Sequence, residues 1–121
     1  MLSRLWNWRV ICRGDYVGVV IGKQLVRSAT SVDANYRAGC RARSGADFIA
    51  KLKIVEEELD ETLYWMELLQ EGRLIDGARL EPIAAEGNEL LAMVVASIKT
   101  RRDHEKTPVQ SSIVNHQSSI E

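Results

Sequence analysis

Little in this chain of 121 residues supplies covalent or metal-based staples. Two cysteines, Cys12 and Cys40, are too few for a disulfide framework and lack the spacing of a zinc knuckle, which fits reduced thiols in a cytosolic protein. The two histidines, His104 and His116, fall at or beyond the end of the last patterned segment, and neither has a Glu three residues before it. That excludes the paired Glu-x-x-His motifs of a di-metal carboxylate bundle, so neither metal nor cofactor is expected. No run of about 18 apolar residues occurs, which excludes a spanning helix and predicts no membrane partner. The stretch Met1-Leu2-Ser3-Arg4-Leu5-Trp6-Asn7-Trp8-Arg9 breaks its apolar residues with charges and Asn, unlike a signal peptide. A net charge of −1 argues against a surface devoted as a whole to polyanions.

Helical periodicity dominates what remains. From Phe48, the residues Leu52, Val55, Leu59, Thr62, Met66 and Leu69 recur at alternating spacings of 4 and 3, within about 60° of one line on a helix. Ser44-Gly45-Ala46-Asp47 precedes them with the form of a capping box, and Gly72 follows as the left-handed residue that ends many helices. A helix is predicted over 46–71. A second stripe, Ile21, Leu25, Ser28, Val32, Asn35 and Gly39, predicts a helix beginning near Val19. Half of that seam is small or polar, so Ser28, Ser31 and Asn35 read as a register-setting polar layer rather than as catalytic groups.

A third helix is predicted from Pro82, through Ile83, Leu90, Leu91, Val94, Val95 and Ile98, with Arg73 to Glu81 as a loop and Gly87 weakening the middle. Before Gly14-Asp15, the residues Leu2, Leu5, Trp6, Val10 and Ile11 fit a short amphipathic helix. After Thr107-Pro108, Gln110-Ser111-Ser112-Ile113 recurs as Gln117-Ser118-Ser119-Ile120, too polar to fold. The expected organisation is one helical domain over 1–106 and a disordered repetitive tail over 107–121.

No motif marks catalysis. Gly18-Val19-Val20-Ile21-Gly22-Lys23-Gln24 has three residues between its glycines where a phosphate loop needs four, and Gln24 stands where a Ser or Thr would hold magnesium. No Ser/His/Asp or Cys/His set lies on predicted elements, so the protein is expected not to be an enzyme. Two surfaces remain as candidates. Lys23, Arg27, Arg37 and Arg41 fall within about 40° of one line opposite the apolar seam, as an ordinary solvated face or cations answered by acids of a neighbouring helix, with a phosphate-tracking ridge as the less favoured alternative. On the second helix, Ile54, Tyr64 and Leu68 lie away from the core stripe with Trp65 on one flank, which points to a second neighbour such as another subunit.

Longer blocks carry a resemblance. Gly22-Lys23-Gln24-Leu25-Val26-Arg27-Ser28-Ala29-Thr30-Ser31-Val32-Asp33-Ala34-Asn35-Tyr36-Arg37-Ala38, then Ala42-Arg43-Ser44, Asp47-Phe48-Ile49-Ala50-Lys51-Leu52-Lys53-Ile54, and Glu58-Leu59-Asp60-Glu61-Thr62-Leu63-Tyr64-Trp65-Met66-Glu67-Leu68-Leu69 closely resemble the bacterial four-helix-bundle proteins of 23S rRNA intervening sequences. The resemblance implies an all-α, up-down four-helix bundle, a ring-shaped homo-oligomer (a pentamer), and kinship with accessory proteins of diversity-generating retroelements, which bind nucleic acid and a reverse transcriptase. Those relatives are basic and this chain is not. Family members also begin with a full first helix, whereas Met1 to Gly18 is short and Trp-rich, so a shortened or atypical first helix is expected.

The leading expectation is thus a cytoplasmic, non-enzymatic, self-associating module, and the alternative is a protein that binds RNA or DNA along the basic ridge. The near-neutral total hides a division. Residues 1–43 carry eight cations and two anions, net +6, and residues 44–72 carry two cations and eight anions, net −6.

Overall fold

The computed structural model describes residues 16–107, and within them the chain forms three α-helices and no strand. They are α1 (Tyr16–Cys40), α2 (Gly45–Glu71) and α3 (Gly77–Lys106). The four-helix bundle implied by the resemblance is therefore seen as three helices; the expected short first helix and the repetitive tail lie outside the described residues.

Side-chain pairings fix the arrangement. Gly39 meets Lys51 and Leu52, Ser28 meets Thr62, and Gly18 meets Leu74, so α1 and α2 run antiparallel. Gly77 meets Gln70 and Gly45 meets Arg101 and Glu105, so α3 runs antiparallel to α2 in turn. Connections of four and five residues leave no other course. α2 is the middle helix, packed against α1 on one side and α3 on the other.

The caps explain the boundaries. Ser44 Oγ accepts the Asp47 N–H at 3.1 Å, as expected at an N-cap, but Asp47 reaches past Ser44 to accept the Arg43 N–H at 3.3 Å. At the other end of α2 the left-handed residue is Arg73 (φ 54°), not Gly72 (φ −73°). The Arg73 N–H donates to the Gln70 carbonyl at 3.1 Å and the Leu74 N–H to the Leu69 carbonyl at 3.0 Å. This is a Schellman closure with a non-glycine residue at its strained position.

Helix α3 starts at Gly77 rather than at Pro82. The Asp76 carboxylate accepts the Ala78 N–H at 3.1 Å, and this cap wins over the proline signal. Pro82 falls in the second turn, where it has no N–H to give the Ala78 carbonyl, and α3 runs on to Lys106. Helix α1 likewise begins three residues before Val19, the expected start.

The core divides in two. Leu25, Ala29, Met66, Leu69, Ile75, Leu80 and Ile83 form one cluster, with Ile21, Trp65 and Leu74 packed on it. Val32, Leu52, Val55, Leu59, Val94 and Ile98 form the other, with Phe48 and Leu90 against it. Ser28 and Thr62, both fully buried, sit between the clusters. The Ser28 hydroxyl donates to the Leu25 carbonyl at 3.1 Å, while the Thr62 hydroxyl lies 2.9 Å from Ser28 Oγ and 2.7 Å from the Glu58 carbonyl.

The polar layer is narrower than the sequence implies. Asn35 donates to Ser31, at 2.9 Å to its carbonyl and 3.2 Å to its hydroxyl, and both bonds stay within α1. Only Ser28 reaches another helix. A short polar side chain one turn from a carbonyl of its own helix satisfies itself there first.

Candidate interaction surfaces

The proposed basic ridge lies along α1, and its four members have different surroundings. Lys23, Arg37 and Arg41 are exposed and make no ion pair among the described residues. Arg27 bridges to α2: one guanidinium nitrogen lies 3.4 Å from Glu58 Oε2 and the other binds Glu61 directly. Glu61 also accepts the Trp65 indole N–H at 3.1 Å. The indole hydrogen bond first, then the Arg27 guanidinium, hold the Glu61 carboxyl below the usual carboxylate range, while Glu61 raises the Arg27 pKa. The middle of the ridge is thus answered by acids of the neighbouring helix, which leaves Lys23 near one end and Arg37 and Arg41 near the other.

On α2, the four residues singled out for subunit contact also divide. Ile54 and Tyr64 stay at the surface, 36% and 50% exposed. Leu68 is half-buried, and so is Trp65, which packs on the first core cluster and meets the Tyr64 ring at 5.1 Å between centroids. Trp65 is therefore held by the Glu61 carboxylate and the Tyr64 ring, while Tyr64 itself stays half exposed.

A further surface was not legible from any single helix. Three depressions toward the α1–α2 turn end of the bundle share Phe48 as a lining residue. The first, about 280 Å³, runs between α1 and α3 from Tyr36 to Phe48 over an apolar floor of Val32, Leu52 and Val94. The second, about 330 Å³, is lined by Cys40, Arg43, Ser44 and Arg101, and the third, about 380 Å³, by Ser97, Thr100, Arg101 and His104. The signal that would have found it is register: in an antiparallel hairpin, residues near 37, 53 and 97 share a level. Among the described residues no group of three or more metal-ligating side chains comes together, and no helix is long and apolar enough to cross a membrane.

Comparison with known proteins gives a consistent relationship. The family model described as 23S rRNA-intervening sequence protein matches residues 17–96. A crystal structure from Bacteroides thetaiotaomicron, described as a protein of unknown function from the S23 ribosomal protein family, is 36% identical, with a TM-score of 0.74 over 81% of this chain and 91% of that one. No curated protein matches the chain significantly.

Proposed function

The chain belongs to the 23S rRNA-intervening sequence protein family, and from that premise we propose that it is a non-enzymatic, self-associating helical module of the cytoplasm. The observation that carries this reading is the outer face of α2. A middle helix already covered by α1 and α3 still presents Ile54 and Tyr64 to solvent, a third apolar side that a second subunit would cover. The assembly expected is a ring-shaped homo-oligomer, a pentamer, in which a neighbour supplies the wall that a fourth helix gives a complete bundle.

Light scattering at micromolar concentration tests it. The expected mass is a multiple of 13.6 kDa, fivefold for the pentamer, and Ile54→Glu with Tyr64→Glu should yield monomers of unchanged helical content. A monomeric native chain overturns the reading.

The second reading is nucleic-acid binding, to which the suggested kinship with retroelement accessory proteins also belongs. It is favoured by the exposed, unpaired state of Lys23, Arg37 and Arg41 among the described residues. The engagement of Arg27 with Glu58 and Glu61 weakens the continuous-ridge form of that reading.

A further inference from the structure

We propose that the α1–α2 turn end of the bundle, rather than the α1 ridge, holds a single nucleic-acid strand, with bases against the Tyr36–Phe48 cleft and phosphates on Arg43 and Arg101. The proposal rests on the second reading above but moves it to a different surface.

Charge is the first argument. Residues 37–53 carry Arg37, Arg41, Arg43, Lys51 and Lys53 against Asp47, and residues 97–107 carry Lys99, Arg101, Arg102 and Lys106 against Asp103 and Glu105. Antiparallel packing brings both segments to one end, where nine cations stand against three anions and Asp33, a fourth carboxylate in the cleft itself, a net +5 in a chain whose total is −1. Among the described residues only Arg101 of these cations is in an ion pair, a loose one at 3.9 Å to Glu105. Asp47 is committed to the cap, accepting the Arg43 N–H. Like charges gathered this closely repel one another, and a polyanion relieves that repulsion while releasing its own counterions.

Shape is the second argument. Cations alone would suit any anion, but here Arg43 and Arg101 line a depression that shares Cys40 and Phe48 with the apolar-floored cleft. Tyr36, 52% exposed, stands at one mouth, Phe48 lies at the junction, and Arg43 and Arg101 flank the next depression. Aromatic faces for bases beside guanidinium groups for phosphates are what sequence-tolerant binding of single strands requires. An anionic membrane fits less well. Membrane-surface binding needs a broad apolar face projecting among the cations, and here the exposed apolar side chains are scattered, Tyr36 and Met93 at the cleft with Ile54 beside Lys53, while Tyr16, Val17, Val20 and Tyr64 lie toward the other end.

Titration of the full chain against a fluorescein-labelled 20-nucleotide RNA, the matching single-stranded DNA and phosphatidylserine vesicles tests this. Binding of the strand is expected at 50 mM salt, weakening about 50-fold by 200 mM if about four phosphates are neutralised. Arg43→Gln with Arg101→Gln should weaken it about tenfold and flatten the salt slope by about 1.4. Tyr36→Ala should cost about tenfold through lost stacking. Glu105→Gln should tighten binding severalfold, a gain that misfolding does not imitate.

Lys23→Gln with Arg27→Gln should change little. If that pair abolishes binding while the Arg43 and Arg101 pair does not, the ridge reading stands and this proposal falls. Absence of binding at 50 mM salt, or vesicles bound as tightly as the strand with Tyr36→Ala silent, also overturns it. The RNA and DNA arms decide which strand is preferred.

Discussion

The two halves of the core are built from the same three helices and end differently. Among the described residues the half near the α2–α3 turn is covered by its own turn: the chain leaves α2 through the Arg73 Schellman turn, and Leu74 and Ile75 fold back onto Leu69 and Leu80. The half near the α1–α2 turn is open. Its connection, Arg41-Ala42-Arg43-Ser44, returns no large apolar residue, and a cleft of about 280 Å³ remains between α1 and α3. The composition of a turn thus decides whether a bundle end becomes scaffold or surface. Apolar residues after a helix seal the core beneath them, and cations in the same place leave it accessible.

The contrast can be broken from its strongest side first. Leu69 is fully buried in the covered half, and Leu69→Ala should lower unfolding free energy by about 2–5 kcal/mol in urea denaturation. Leu52→Ala, on the floor of the open cleft, should fall at the low end of that range, because its neighbourhood is already incompletely packed.

The boundary between the halves comes next. Ser28→Ala should cost about 1 kcal/mol by removing the inter-helix partner of Thr62. Combining it with Thr62→Val should add little further loss, since the Thr62 hydroxyl that remains in the single variant still has the Glu58 carbonyl, and the two clusters would merge once both hydroxyls are gone. A double variant much worse than Ser28→Ala alone would show that the layer is needed for more than register.

A smaller effect, in the opposite direction, is expected at the closing turn. Arg73→Gly places glycine at φ 54° and should stabilise the fold by about 0.5–1 kcal/mol.

The smallest effect is pH-dependent. Because the folded-state pKa of Glu61 is depressed, first by the Trp65 indole and then by Arg27, its contribution is present above the ordinary carboxylate value of about 4.3 and is lost as pH falls through the folded value. Glu61→Gln should make thermal melts between pH 7 and pH 3 less pH-dependent. Glu61 raises the already strongly basic Arg27 guanidinium further, so Arg27 stays charged throughout this range and adds no pH dependence of its own.

Much of this was legible in the sequence. The stripe from Phe48 to Leu69 placed α2 to within a residue of its observed Gly45–Glu71, because a heptad-like pattern over six turns has no competing reading. The polar character of the α1 seam was also visible, but its partner was not. Thr62 sat in the apolar stripe by periodicity, and only the register between α1 and α2 turns it toward Ser28. The start of α3 failed for a local reason, since both Asp76 and Pro82 are good beginnings and the carboxylate cap took precedence.

The same limit governed the candidate surfaces. Spacing within α1 aligned Lys23, Arg27, Arg37 and Arg41, yet spacing within one helix does not report that Glu58 and Glu61 of the next helix engage Arg27. Nor does it report that Arg43 and Arg101, 58 positions apart, flank one depression beside Phe48. Contacts within an element are written in periodicity. Contacts between elements appear only once turn lengths and helix directions are known.

Hydrogen exchange on the full chain, at fixed protein concentration with and without the 20-nucleotide RNA, tests the division of scaffold from surface most directly. The expected result is slowed exchange over residues 36–48 and 93–104, with residues 66–83 unchanged. Protection centred on 66–83, or spread evenly over all three helices, would contradict it.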